Sequence, residues 1–139
     1  MAARSELTSL SAGLLIYEWL TTDEAVMAIA NKVFPVISEE GAQLPYICYR
    51  RASQESTLIK GVAPGPDAVS VEIVCYAATY PQSVALAEAV RKAMEGYQYD
   101  YQDGEGNTLL VAKSCVLSDA EEGWADDAYA QNLIFTLKL

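Results

Sequence analysis

The sequence predicts an α+β domain: an antiparallel four-stranded sheet packed by helices on one face, in the order ααββαββ. Three observations predict it. Apolar residues recur at helical spacing before Pro35 and again between Thr79 and Gly96. After Pro45 and after Asp67 they alternate with a period of two instead. The chain has 139 residues, 52% apolar and 20% charged, which suits one domain with a core that needs no metal or disulfide staple.

From Ser5 to Leu20 a first helix is expected, with Leu7, Leu10, Leu14 and Tyr17 as its apolar stripe and Leu15 and Trp19 widening it. Thr21-Thr22-Asp23-Glu24 offers a capping box, with Thr21 as the cap of a second helix that runs to about Lys32 and buries Val26, Ile29 and Val33. Phe34-Pro35 ends it. Tyr46 to Arg51 is short, aromatic and β-branched, hence a strand. The 53–67 segment holds Gly61, Pro64, Gly65 and Pro66 and reads as a long loop. Val69, Val71, Ile73, Cys75 and Ala77 then line one face of a second strand.

Thr79 and Gln82 have capping-box spacing, and Pro81 suits a first helical turn, so a third helix starts there. Leu86, Val90, Ala93 and Tyr97 are its expected buried stripe. Glu88 with Lys92, and Arg91 with Glu95, are expected ion pairs, and Gly96 closes the helix. The last two strands are Thr108 to Leu117 and Tyr129 to Leu139, joined by an acidic connection over 119–127.

The composition excludes several chemistries. There is no histidine, so no Ser-His-Asp or Cys-His nucleophile and no imidazole metal ligand or base. Nineteen acidic residues against nine basic ones give a net charge of -10. That opposes binding to nucleic-acid phosphates or to an anionic membrane surface. It suits soluble subunits that repel one another until a specific interface forms. Cys48, Cys75 and Cys115 sit in apolar, strand-like stretches with no zinc spacing and read as buried, reduced thiols. The start lacks a signal peptide's apolar region, and no segment has the length of a membrane span, so a cytosolic or particle-borne domain is expected.

Candidate site residues follow from charge. Asp119, Glu121, Glu122, Asp126 and Asp127 could hold a hard cation, supply paired carboxylates, or form a docking edge for a basic partner; their spacing fixes no metal geometry. Residues 97–139 carry 8 acids and 2 lysines, net -6, so the acidity is lopsided. Arg50 and Arg51 are adjacent in a strand and should point to opposite faces, one of them available as an interface ion-pair donor. Asp103-Gly104-Glu105-Gly106-Asn107 begins like a calcium loop, but Thr108 and Ser114 stand where Gly and Glu would be needed, so a hairpin turn explains it. Tyr97, Tyr99 and Tyr101 would share one face if extended. No metal site, cofactor or catalytic constellation is expected.

One group of motifs is more specific. Pro35 after the second helix, Leu44-Pro45-Tyr46-Ile47-Cys48-Tyr49, and Cys75-Tyr76-Ala77-Ala78-Thr79-Tyr80 running into Val84 to Arg91 stand in a definite order, with Asp126-Asp127, Tyr129 and Phe135 near the end. In this order the sequence resembles the small tail-completion or tail-terminator proteins of long-tailed phages and phage-like particles. The resemblance implies a single tail-terminator-like domain over 1–139, with a long loop at about 53–67. It implies a six-membered ring of identical subunits that caps the tail tube and faces the head connector, assembled in the host cytoplasm and carried at the head-proximal end of the virion tail. The expected partners are further copies of the chain, the tail tube protein and the head connector or neck protein. A neighbouring neck or head-closure component and a stand-alone binding module using the 53–67 loop are the alternatives, with an enzyme last. Arg50 and Arg51 meeting the 119–127 acids is the expected contact between subunits or partners.

Overall fold

The computed structural model describes residues 7–55, 58–59, 63–64 and 67–139. After a 3-10 turn at Ser9–Ser11, helix α1 spans Ala12–Thr22 and a single turn, α2, spans Glu24–Met27. Strands β1 (Lys32–Pro35), β2 (Tyr46–Glu55), β3 (Leu58–Ile59), β4 (Ala63–Pro64) and β5 (Ala68–Ala77) follow. Helix α3 (Tyr80–Met94) then leads to β6 (Tyr99–Gln102), β7 (Thr108–Ala112), β8 (Ser114–Ala125) and β9 (Ala128–Lys138).

The four-stranded antiparallel α+β arrangement in the order ααββαββ is therefore wrong. Among the described residues strands hold about twice as many positions as α-helices, and the main sheet is five-stranded and mixed, ordered β1-β2-β5-β9-β8. β1 is parallel to β2, and every other pair in that sheet is antiparallel. β3–β4 and β6–β7 form two further two-stranded sheets.

Each discrepancy has a local cause. The second helix stops after one turn because the Asn31 amide donates to Pro45 O at 2.8 Å and its side chain to Leu44 O at 2.9 Å. That pulls Lys32 to Pro35 alongside β2, so Val33 is a strand residue. Its cap is Asp23, whose carboxylate accepts from Val26 N at 3.0 Å, rather than Thr21. The Thr21 hydroxyl is already committed, donating back to Tyr17 O at 2.7 Å. The expected strand from Thr108 to Leu117 divides at Lys113, whose amide donates to Lys138 O and moves the chain from the β6–β7 sheet to the main one. The acidic 119–127 connection is mostly strand. β8 runs to Ala125, and Asp126 and Asp127, at φ 54° and 59°, turn it into β9 as a two-residue hairpin loop. An edge strand wetted on both faces carries no apolar alternation, so its period was invisible. Of the 53–67 segment, Ser53 to Glu55 continue β2, 58–59 pair with 63–64, and Asp67 exchanges backbone hydrogen bonds with Leu139; 56–57, 60–62 and 65–66 lie outside the described residues.

Register fixes the two faces of the sheet. Ile47, Tyr49, Val71, Ile73, Cys75, Leu133, Phe135, Leu137 and Cys115 look toward the helices and form one core with Leu15, Ile16, Trp19 and Leu20 of α1 and Leu86, Val90 and Met94 of α3. Tyr46, Cys48 and Phe34 look the other way, into a small cluster with Ala42, Leu44 and Tyr76. All three cysteines are buried and unpaired.

Helix α3 forms as its sequence suggests. The Thr79 hydroxyl accepts from Gln82 N at 3.3 Å, Pro81 lies in the first turn, and Gly96, at φ 84°, ends it. Arg91 and Glu95 pair at 2.8 Å, whereas Glu88 and Lys92 do not pair, and Tyr97 is exposed beyond the helix rather than buried. Thr79→Ala should cost about 1 kcal/mol, read from urea unfolding followed by circular dichroism, since the cap then leaves an amide unsatisfied.

Candidate functional site

The sequence-selected charges are scattered over both faces of the sheet. Arg50 lies on the outer face of the sheet, where its Nε donates to Glu72 Oε1 at 3.0 Å. Arg51 takes the opposite face; it is exposed, its only described polar contact is a 3.5 Å bond to Gln54, and it pairs with no carboxylate among the described residues. Asp119 and Glu121 lie on the outer face of edge strand β8 and Glu122 on its helix-facing side, so the acids do not converge. Among the described residues no group of three Cys, Asp or Glu side chains could hold a metal ion.

Glu122 has a structural task. It accepts from Tyr80 Oη at 2.9 Å and from Gln131 Nε2 at 3.0 Å, fastening the β8–β9 hairpin to the start of α3. Those donors, Gln131 first, hold its carboxyl below the usual glutamate value, and the same contact raises the Tyr80 phenol. Asp126 curls to the outer face. There it lines a hollow of about 120 Å³ together with Arg50, Glu72, Tyr46, Cys48 and Tyr76. Arg50 and Asp126 thus meet around one hollow of the same chain, a proximity their distance in sequence concealed. Asp103 closes the β6–β7 hairpin, its carboxylate accepting from the Glu105 and Asn107 amides. Its pKa is lowered mainly by the Asn107 amide.

Burial disfavours the thiolate form of all three cysteines. Burial pushes Cys115 up to about 12, with Glu95 adding to it, and raises Cys75 and Cys48 as well. Glu95 joins α3 to β8: Arg91 Nε donates to one of its oxygens at 2.8 Å and Leu117 N to the other at 2.9 Å. These bonds, the Arg91 one first, lower its pKa. The stability they give is complete above the ordinary glutamate range and is lost as pH falls through the lowered value. Glu95→Gln should therefore flatten the fall in urea midpoint between pH 7 and about pH 3.

Two apolar surfaces were missed. The α1 stripe read from the sequence is rotated: Leu10, Leu14 and Tyr17 are 67%, 53% and 45% exposed, while Leu15 and Trp19, expected only to widen it, are buried together with Ala12, Ile16 and Leu20. Helix α1 is apolar nearly all round, a pattern that signals a second contact surface. Val36, which lines a hollow with Leu10 and Leu14, is 70% exposed, and Ile37 after it is 76% exposed. Val36 has φ 65° in a tight turn closed by Ile37 N donating to Pro35 O at 2.7 Å. A β-branched residue is strained there. Val36→Gly should therefore raise stability by about 1 kcal/mol, measured by urea unfolding. Leu14, Pro35 and Tyr49 separate two adjoining hollows of about 550 and 460 Å³, with Arg51 at the rim of the larger.

The second surface lies on the opposite edge strand. Trp124, 61% exposed, packs edge-on against Tyr129 at 5.0 Å between ring centroids, and Tyr129 against Tyr80 at 5.9 Å. A tryptophan inside an otherwise acidic stretch was the available signal.

Comparison with known proteins gives the family and the fold. No curated protein matches the chain. A chain of the solved "Virion of native gene transfer agent (GTA) particle" superposes with a TM-score of 0.72 at 15% identity, covering 91% of this chain and 92% of that one. The family model "Tail completion protein gp17" matches residues 15–126. The chain therefore belongs to the tail completion protein gp17 family and is a structural protein of a phage-type tail.

Proposed function

We propose that the chain is a tail terminator: six copies close into a ring that caps the tail tube at its head-proximal end and joins it to the head connector. Family membership carries this reading, and the charge distribution supports it. A head-to-tail ring needs two unlike surfaces on each subunit. Here the exposed acids Asp119, Glu121 and Asp127 lie along or beyond edge strand β8, and Arg51 projects beside α1 at the other side of the sheet. A net charge of -10 per copy keeps subunits apart until those surfaces meet. Arg51, with Arg50 next to it, faces the acids of the neighbouring copy; Glu122 and Asp126 have partners or a hollow within their own chain and contribute less. The protein works without turnover, as a single domain.

Sedimentation of the purified protein, with and without tail tubes of the same particle, tests this reading. A ring that cosediments with tubes is expected. A ring that binds the connector but not the tube would place the protein in the neck, and a monomer indifferent to both would make it a stand-alone module.

A further inference from the structure

We infer that the contact between copies is an aromatic knob in an apolar groove: Trp124 and Tyr129 on one copy seat in the hollows flanking Leu14 and Tyr49 on the next. This rests on the ring reading and names its adhesive surface. Three observations carry it. The knob and groove belong to opposite edges of one sheet, Trp124 on β8 and the groove against β1, β2 and α1, so copies joined this way repeat in one direction as a ring requires. Both surfaces are exposed and apolar on a chain otherwise rich in acids, and the larger hollow, about 550 Å³, has the size of a pocket that takes a bulky ring system. The charges on the two elements are opposite: Glu121 and Asp127 are exposed on the same hairpin as Trp124, and Arg51 lines the groove.

Tryptophan centred in such a contact, rimmed by charge, is the residue type that dominates binding energy. Val36 adds to the groove wall. Its exposed side chain is held out by a strained backbone, so Val36→Gly should weaken association while leaving a protein that is folded and more stable.

The test uses two surface variants of the full chain, Trp124→Ala and Leu14→Glu, studied by analytical ultracentrifugation alone and mixed, under conditions in which the wild type forms rings. Each alone should associate at least about thirty-fold more weakly than the wild type. Mixed in equal amounts, they should form a heterodimer and nothing larger, because the Trp124 variant keeps its groove and the Leu14 variant keeps its knob. Rings formed by either variant alone, or a mixture that stays monomeric, would overturn the knob-in-groove contact and leave the ring reading standing. A wild type that remains monomeric even with tail tubes would overturn both.

Discussion

Phe135→Ala should lower stability by about 3–5 kcal/mol, a loss comparable to much of the total stability of a domain this size. Phe135 is fully buried on β9, which lies between β5 and β8, and its register partners are Val71 and Leu117. Removing the ring leaves a cavity beneath both helices, where α1 and α3 contribute Leu15, Ile16, Leu86 and Val90 to the same cluster. A urea midpoint about 2 M lower would express that loss. Val116→Ala is the control: Val116 is 55% exposed on the outer face of β8, and its truncation should change stability by less than about 0.5 kcal/mol. Equal effects at the two positions would mean that the helix-facing side of the sheet is not the core.

The second large effect is on assembly. Arg51→Glu, and more completely the double change of Arg50 and Arg51 to glutamate, should abolish ring formation while leaving the monomer folded. Like charges set against each other at an interface cost several kcal/mol, and a closed ring meets that cost at every contact. Arg51 should carry most of the effect, since Arg50 is already bonded to Glu72 in its own chain. The exposed Arg50–Glu72 pair itself contributes no more than about 1 kcal/mol to folding. Sedimentation separates the two consequences: a folded monomer supports the pairing, and intact rings with both arginines reversed would remove these residues from the interface.

The contrast between elements shows how far the sequence could be read. Helix α3 was legible because local chemistry determines it: Thr79 caps it, Pro81 starts it and Gly96 ends it, with little need of tertiary help. β5 was legible because one face is core and the other is not. β1 was not, since its four residues are strand only through pairing with β2, drawn in by Asn31. β8 was legible only as far as Leu117, because beyond it an edge strand exposed to water keeps its acids and loses its alternation. The candidate site divides the same way. Charges could be named from the sequence, and Arg50 and Arg51 do take opposite faces, as neighbours in a strand must. Which charges remain unengaged could not be named: Glu72 reaches Arg50 from 22 residues away, and Tyr80 reaches Glu122 from 42. The exposed stripe of α1 was mistaken for the buried one because both are apolar, and only the position of the sheet distinguishes them.

On the proposed reading, this chain ends a tail tube as a ring. Electron microscopy of tail tubes incubated with the purified protein tests it most directly. A ring of six subunits is expected at one end of each tube, and bare tubes with Arg51→Glu. Tubes left uncapped by the wild-type protein, or decorated along their length rather than at one end, would contradict it.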